Sequence, residues 1–216
     1  MGGADARRLL AQDDFREGTA GWFAELEAGG TVVARDGVLD VDVPRGASVW
    51  YREPFFGPHE ITYTATAVSA GGPHDRVSDL NTFWAARDAR SPQDLFASRR
   101  SGAFADYDHL LTYYVGFGGN SNTTTRFRRY TGTPGRRPLL PAHDLTAPLL
   151  EPGRAYRIRL VADGERVRYF SDGELLFDYV HRAGEVPYPG GWFAFRTTAS
   201  HFHVADFRVW ALPEQD

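Results

Sequence analysis

The chain has 216 residues, no cysteine, and 24 basic against 28 acidic residues, which give a formal net charge of -4. A disulfide framework, a thiol nucleophile and a thiolate metal site are therefore excluded. The negative charge argues against a general electrostatic grip on nucleic acid. All the basic residues are arginine, so no lysine is available as a base or a Schiff-base nucleophile.

The length fits one all-β domain, and no segment rich in proline, glycine or serine divides the chain. We predict a single domain over residues 13–212, preceded by an N-terminal extension over residues 1–12. No apolar run reaches the length of a signal peptide or a membrane span. We therefore expect a cytoplasmic protein with no membrane partner, and the oligomeric state is left open.

Short runs of alternating polar and apolar residues recur along the chain, and each predicts a β-strand. In the run from residue 38 to residue 43, Leu39, Val41 and Val43 share one face. The predicted strands are 20–27, 31–35, 38–43, 47–52, 59–68, 79–86, 110–117, 124–130, 155–162, 166–171, 174–179, 191–198 and 201–211.

Turn residues separate these strands. Asp163-Gly164 and Asp172-Gly173 are typical of hairpins and predict a three-stranded meander in the C-terminal half. Helical periodicity is confined to residues 4–12 and 92–100. Many short strands with few helical periods favour an antiparallel sandwich or barrel, and we expect its first and last strands to lie close together.

The segment from residue 78 to residue 84 carries the first candidate functional residues. On a strand, Asp79 and Asn81 share one face, and Trp84 lies on the other. A carboxylate and an amide at this spacing could bind hydroxyl groups or serve in acid–base catalysis. They could equally cap a turn and bind a loop backbone. We assign Asp79 to catalysis and Asn81 and Trp84 to substrate binding.

A second group of polar and aromatic residues follows in the next loop and strand. Asp106, Tyr107 and His109 lie in one short loop, whereas Tyr113 and Tyr114 alternate on a strand, so one of them is expected in the core. Aromatic rings pack against the C–H faces of sugars, and polar groups bind their hydroxyls. We assign Asp106, Tyr107 and Tyr114 to catalysis and His109 to substrate binding, with a mobile acidic loop as the alternative.

A glycine-rich turn and a basic strand complete this central block. The Gly-Gly-Asn turn at residues 118–120 permits positive φ, but without a lysine or a following helix it does not favour a nucleotide site. Arg126 and Arg128 flank Phe127 and could bind a uronate carboxylate, or simply form a solvated basic face. The substrate-binding candidates of this segment are Asn120, Asn122, Arg126 and Arg128.

A last cluster lies near the C-terminus. Alternation places His201 and His203 on one face and Phe202 and Val204 on the other. Two histidines at this spacing could share a metal ion, although no third ligand is evident. A neutral catalytic base or plain surface histidines are the alternatives. We assign His201 to catalysis and Arg196 and His203 to substrate binding.

Several of these strings together resemble a bacterial family related to YesU: Ser78 to Trp84, Tyr113 to Gly116, Thr124 to Arg128, and Arg196-Thr197 before Ser200-His201. The resemblance covers residues 13–211. It implies an all-β, two-sheet antiparallel jelly-roll sandwich of the concanavalin A-like lectin and glucanase type. Such proteins occur among genes for the use of pectic rhamnogalacturonan, which implies an oligosaccharide or glycoside as the partner.

Two catalytic patterns of neighbouring jelly-roll families are missing from the sequence. The arginine–glutamate strand motif of the alginate-lyase branch is absent, and so is the Glu-x-Asp-x-x-Glu strand of retaining glucanases. A lyase or a glucanase of the standard type is therefore disfavoured.

The crowding of Asp, His, Arg and Tyr favours an enzyme. Together with the resemblance, it implies an intracellular enzyme that cleaves a uronate- or rhamnose-containing oligosaccharide by elimination or hydrolysis. In hydrolysis, Asp79 and Asp106 would form the carboxylate pair. In elimination, a tyrosine or His201 would move the proton. The alternatives are a non-catalytic, lectin-like sugar-binding module and a partner-binding sandwich. No cofactor is expected, although a bound divalent metal could replace either scheme by polarising a sugar carbonyl or hydroxyl.

Overall fold

The structure is a computed structural model that describes residues 7–213, except for the side chain of Pro141. The described residues form fourteen strands: β1 (Arg8–Asp13), β2 (Trp22–Leu26), β3 (Thr31–Arg35), β4 (Val38–Tyr51), β5 (Phe55–Phe56), β6 (His59–Ala67), β7 (Asn81–Asp88), β8 (Leu110–Gly118), β9 (Thr124–Thr131), β10 (Leu139–Leu145), β11 (Ala155–Ala162), β12 (Arg166–Ser171), β13 (Glu174–Val180) and β14 (Gly190–Ala211). Two 3₁₀ helices, Leu95–Ala97 and Phe104–His109, lie between β7 and β8, and a helical turn, Gly119–Asn122, joins β8 to β9. None of the helices in the described ranges has the length and apolar character needed to cross a membrane.

Strand β14 connects the two layers of the fold. Its first half pairs with β7 and its second half with β6, while β4 runs beside it through both halves. The strand order β10-β9-β8-β7-β14-β6-β11-β12-β13 is antiparallel throughout and curls over on itself at β14. These pairings confirm the antiparallel sandwich that alternation predicts.

The core between the layers is built from aromatic and aliphatic side chains of both. Phe127 on β9 stacks on Phe177 of β13 with ring centroids 5.7 Å apart, and Phe117 of β8 meets Tyr156 of β11 at 5.2 Å. Burial of side chains of this size stabilises the fold by about 1.5–3 kcal/mol each. These inward faces leave the opposite face of β7, β8 and β9 available for a site.

A bulge in β14 controls which side chains face outward. The pairing with β4 shifts around Ala199, which has a φ of 47°. A bulge inserts one residue and so moves the alternation by one. Phe195 before the bulge and Phe202 after it therefore both point into the core. Arg196 and His201 consequently both lie on the side away from the core.

The outer face of β7, β8 and β14 carries a second apolar cluster beneath the two 3₁₀ helices. Tyr107 from the second helix packs against Phe83 and Trp50, with Phe83 at 5.1 Å. A buried ion network anchors this cover, because Arg100 binds Glu25 at 2.9 Å and Asp88 at 3.0 Å. Residues 95–109, which contain the two 3₁₀ helices and are called the covering segment, therefore fill part of the outer face and leave the remainder open.

The strand predictions are correct in position, but several boundaries need correction. Segments 38–43 and 47–52 form one continuous strand, as do 191–198 and 201–211. Residues 8–12 belong to the sheet, because β1 pairs with the end of β14. That pairing brings the first and last strands together, as expected. The remainder of the proposed N-terminal extension, residues 1–6, lies outside the described residues.

The two helical expectations also differ from the structure. Strand β1 occupies the described part of segment 4–12, and only a short 3₁₀ helix falls within segment 92–100. Strands β5 and β10 were not predicted. The former spans two residues, and the latter contains a proline, which cannot donate to a ladder. Both are therefore poor matches to a period-two pattern.

Candidate functional site

A cavity of about 330 Å³ opens on the outer face of β7, β8 and β9, next to the second apolar cluster. Strand alternation explains its lining, because the outward residues of three neighbouring strands converge there. Six of the sequence-predicted site residues line it: Asp79, Asn81, Tyr114, Asn120, Arg126 and Arg128. We refer to this cavity as the β7–β9 pocket.

Asp79 is held rigidly at the start of β7. Its backbone adopts the left-handed region with a φ of 61°, and its N–H donates to the carbonyl of Gly118 at 3.0 Å. The carboxylate accepts hydrogen bonds from Arg76 at 2.7 Å, from the Asn81 amide at 3.1 Å and from the Ser78 hydroxyl. These donors fix the carboxylate as a preoriented acceptor at the pocket wall.

Asn81 lines the same pocket and carries a buried acceptor without a partner. The residue is 4% exposed, its Nδ2 donates to Asp79, and its Oδ1 has no partner. An unpaired buried polar atom costs about 1–3 kcal/mol, so it calls for a ligand or a water molecule. Space is present beside it, because a Cβ placed on Gly116 would lie 3.7 Å from that oxygen.

Two aromatic rings form the apolar part of the pocket. Phe104, from the covering segment, lies 5.7 Å from Tyr114 of β8, measured between ring centroids. Burial raises the pKa of Tyr114, and the nearby Asp79 carboxylate raises it further. The Tyr114 hydroxyl therefore stays protonated at neutral pH and can donate a hydrogen bond beside an apolar surface.

Arginines give the pocket a positive character. Arg76 pairs with Asp79, and Arg126 pairs with Asp144 at 2.7 Å. Arg128 donates to the carbonyl of Arg137 at 2.5 Å, and no carboxylate of the described residues lies within ion-pair distance of it. A guanidinium without a carboxylate partner favours an anionic ligand.

Three of the predicted catalytic residues, Tyr107, Asp106 and His201, lie outside the pocket. Tyr107 is fully buried and donates to Glu25 at 2.8 Å, and burial raises its pKa. Asp106 accepts from the backbone N–H and the hydroxyl of Ser101, both at 2.7 Å, and these bonds lower its pKa. The expected pairing of Asp79 with Asp106 is therefore not formed in this pocket.

Five predicted binding residues also do not line the pocket: Trp84, His109, Asn122, Arg196 and His203. Trp84 is fully buried in the core between the layers, since the opposite face of its strand carries the pocket. Asn122 uses both ends of its amide on the backbone of Leu150, at 2.8 Å each. His109 ends the second 3₁₀ helix and does not line the pocket.

Arg196 lies behind the pocket and does not line it. The side chain is 1% exposed, its Nη1 donates to the carbonyl of Gly102 at 2.5 Å, and its Nε and Nη2 have no partner. Its guanidinium lies 5.0 Å from the Tyr107 ring and 5.4 Å from the Phe104 ring. Its buried charge adds to the positive potential of this region.

His201 and His203 lie on a different part of the surface. They follow the bulge of β14, and both contact Asp40 of β4, which is the cross-strand partner of His203. His201, which was assigned to catalysis, therefore does not share a groove with Asp79, Tyr114 and Arg126. The bulge and the antiparallel pairing carry the histidines to the other half of β14.

Sequence reasoning missed Arg76, Phe104 and Gly116 in the pocket and Asp40 beside the histidines. The alternation of β4 did place Asp40 on the outward face. Its partner strand could not be identified, because strand pairing is not encoded in alternation alone. Arg76 comes from a loop and Phe104 from the start of a short 3₁₀ helix, and neither element gives a periodic pattern.

Comparison with solved structures shows the fold. A protein of unknown function with a galectin-like fold from Bacillus subtilis is similar at a TM-score of 0.78 and 18% identity, covering 97% of this chain and 100% of that one. An endo-β-1,3-glucanase from Pyrococcus furiosus is similar at 0.63 and 10% identity, covering 97% and 96%. The carbohydrate binding module CBM66 from Bacillus subtilis gives 0.58 and 11% identity, covering 89% and 97%.

At these low sequence identities the similarity shows only the fold, and it confirms the all-β jelly-roll sandwich. No curated protein sequence matches the chain. One family model does match, over residues 41–207, and that range contains the pocket and most of both layers. The chain belongs to the family described as Domain of unknown function (DUF6250).

Proposed function

We propose that this chain binds a saccharide in the β7–β9 pocket without cleaving it. The observation that carries the proposal is the unpartnered Oδ1 of Asn81, buried at the pocket wall beside the fixed carboxylate of Asp79. Two adjacent acceptors held in this way suit the vicinal hydroxyl groups of a sugar ring, which donate to both.

The remaining walls support the same ligand class. Phe104 offers an apolar surface to the C–H face of a sugar, and Tyr114 offers a donor to a ring or hydroxyl oxygen. The similarity in fold to a carbohydrate binding module and to a glucanase supports the proposal by analogy. Arg128 favours a saccharide that carries a carboxylate, such as a uronate.

The pocket does not favour hydrolysis. Glycoside hydrolysis commonly requires two carboxyl groups on either side of the scissile bond. Asp79 is the single carboxylate among the described residues that line the pocket. Its oxygens already accept hydrogen bonds from Arg76, Ser78 and Asn81.

Elimination is the second candidate, and one observation favours it. Tyr114, Arg126 and Arg128 share the pocket, so a uronate bound by the arginines would lie near a tyrosine. Abstraction of the C5 proton, however, requires the deprotonated tyrosine as base. Burial and Asp79 raise the pKa of Tyr114, which opposes this step. The cytoplasmic location and the relationship to the YesU-like family stay predictions from the sequence.

Isothermal titration calorimetry with uronate-containing and neutral oligosaccharides tests binding. Gly116→Ala should fold normally, because its Cβ makes only ordinary contacts at 3.4–3.7 Å, yet it fills the space before Asn81. We expect it and Asn81→Ala to weaken binding at least tenfold. Gly21→Ala is the matched control, with its nearest contact at 3.5 Å on Tyr51.

Product assays separate the alternatives. Ultraviolet absorbance of unsaturated products reports elimination, and new reducing ends without that absorbance report hydrolysis. Binding that is equal in Gly116→Ala, Asn81→Ala and Gly21→Ala would overturn the assignment of the pocket. Unsaturated products that the wild-type chain forms and Tyr114→Phe does not would show that the pocket catalyses elimination instead of only binding a saccharide.

A further inference from the structure

Three side chains on the outer face of β4 and β14 converge outside the β7–β9 pocket. Nε2 of His201 lies 3.1 Å from Oδ1 of Asp40, and Nε2 of His203 lies 3.4 Å from Oδ2 of the same carboxylate. One ligand atom from each residue falls within 4.8 Å of the others. Strand pairing produces this convergence, because His203 is the cross-strand partner of Asp40.

The spacing of these atoms matches a metal site. In a tetrahedral site with bonds of about 2.0–2.1 Å, neighbouring ligand atoms lie roughly 3.3 Å apart. The two nitrogen–oxygen distances, 3.1 Å to Oδ1 and 3.4 Å to Oδ2 of Asp40, bracket that value. Binding of an ion would draw the three ligand atoms, which lie within 4.8 Å of one another, closer together.

A second layer of contacts orients His201. Its Nδ1 donates to Oδ1 of Asp75 at 2.7 Å, which turns Nε2 towards Asp40 and His203. The other oxygen of Asp75 accepts from the backbone amides of Ala70 at 2.6 Å and Gly72 at 3.0 Å. A carboxylate behind a ligating histidine is the usual support of a protein metal site.

The surroundings leave the site accessible. The side chains of Asp40, His201 and His203 are 15%, 17% and 38% exposed. Arg35 lies 3.2 Å from Asp40, but its side chain is 67% exposed and can turn into solvent. The adjacent pair of His74 and Asp42, at 2.7 Å, lies on the same face and brings a further carboxylate.

We propose that Asp40, His201 and His203 bind one divalent transition-metal ion of the zinc class, with solvent in the remaining coordination position. Imidazole nitrogens with one carboxylate prefer zinc, cobalt or nickel to calcium or magnesium, which take oxygen ligands. The site is separate from the saccharide pocket, so its existence does not depend on the proposed function. Without a metal, the same cluster would be a histidine held between two carboxylates, which is the competing explanation.

The test uses the full chain freed of metal by a chelator and then titrated with Zn²⁺ and, separately, with Ca²⁺. We expect close to one Zn²⁺ per chain, bound at least tenfold more tightly than Ca²⁺. Co²⁺ should give the visible absorption of a four-coordinate site. Zn²⁺ should also raise the Tm.

His203→Ala and Asp40→Asn should each weaken Zn²⁺ binding at least tenfold, and Asp75→Asn should weaken it about 10- to 100-fold. His109→Ala, which removes a histidine distant from the cluster, is the matched control and should bind normally. Circular dichroism and Tm without metal show whether each variant is folded. Because His203 is the most exposed of the three ligands, His203→Ala should fold and still tests metal binding if Asp40→Asn does not fold. Absence of Zn²⁺ binding, or binding that His203→Ala leaves unchanged, would overturn the proposal in favour of a metal-free cluster of histidines and carboxylates.

Discussion

A single nitrogen of Arg76 donates to both the carboxylate of Asp79 and the carbonyl of Thr198, each at 2.7 Å. The side chain thereby joins the loop before β7 to β14 at the edge of the β7–β9 pocket. Because the Asp79 carboxylate also accepts from Asn81, this guanidinium helps to orient both proposed sugar acceptors.

Replacement of Arg76 should therefore impair binding more than folding. Hydrogen bonds to charged groups contribute about 1.5–3 kcal/mol, so Arg76→Met should weaken saccharide affinity by roughly tenfold or more, with a small change in Tm. Calorimetry and thermal unfolding provide the two readouts. Arg208→Met is a suitable control, since its carboxylate neighbour lies 3.8 Å away on the surface. Equal affinities in the two variants would contradict the role given to Arg76.

Arg128 should determine the preference for acidic saccharides. It is the pocket arginine with no carboxylate partner in the described chain. Arg128→Gln keeps a hydrogen-bond donor but removes the charge. We expect it to lower affinity for uronate-containing oligosaccharides about tenfold while neutral ones bind as before. The charge-dependent part should also weaken as salt is added. An equal loss for both ligand classes would show that Arg128 acts by shape instead of charge.

The cover over the outer face should depend on Arg100. Its side chain is fully buried between the carboxylates of Glu25 and Asp88. Removal of one member of a buried ion network leaves charges uncompensated and costs about 3–5 kcal/mol. Arg100→Met should lose that much free energy of unfolding in a urea titration. Arg166→Met, which breaks an exposed pair with Asp178, should lose at most about 1 kcal/mol. A similar loss of stability in Arg100→Met and Arg166→Met would show that the buried Arg100 network does not stabilise the fold.

Alkaline pH should destabilise the fold through its tyrosines. Burial raises the pKa of Tyr113 to about 12 and that of Tyr179 to about 12, from an unfolded value near 10. Between pH 10 and 12 the unfolded chain has lost these protons and the folded chain retains them, so stability falls as the pH rises. Below pH 10 these tyrosines are protonated in both the folded and the unfolded chain, so they contribute no pH dependence to the stability.

Unfolding in urea at a series of alkaline pH values, with tyrosinate absorbance in parallel, measures the effect. Tyr113→Phe removes one of the two groups and should make the decline with pH shallower. A decline of the same slope in Tyr113→Phe would exclude Tyr113 as a source of the alkaline destabilisation.

The secondary structure of this chain follows from local patterns to a large extent. Alternation at Tyr113 and Tyr114 correctly assigned one ring to the core and the other to the outer face. The same rule placed Phe127 inside between two outward arginines. Such assignments succeed because the side-chain period of a strand is fixed by backbone geometry.

The composition of the site was only partly predictable, for a physical reason. His201 and Asp79 were both assigned to catalysis, but the bulge at Ala199 and the length of β14 carry them to different parts of the surface. Tyr107 and Asp106 belong to a 3₁₀ helix whose position depends on the buried Arg100 network. Neither a bulge nor a long-range ion pair leaves a periodic signal, so these placements require the tertiary structure.

The short segment from Asp75 to Asp79 serves both proposed ligand positions, since Asp75 supports His201 while Arg76 and Asp79 line the saccharide pocket. An ion that orders this segment would lessen the entropy lost when sugar binds. Thermodynamic reciprocity then requires bound sugar to increase the affinity for the ion by the same factor. The binding of two chemically unrelated ligands would thus be coupled through a segment of only five residues.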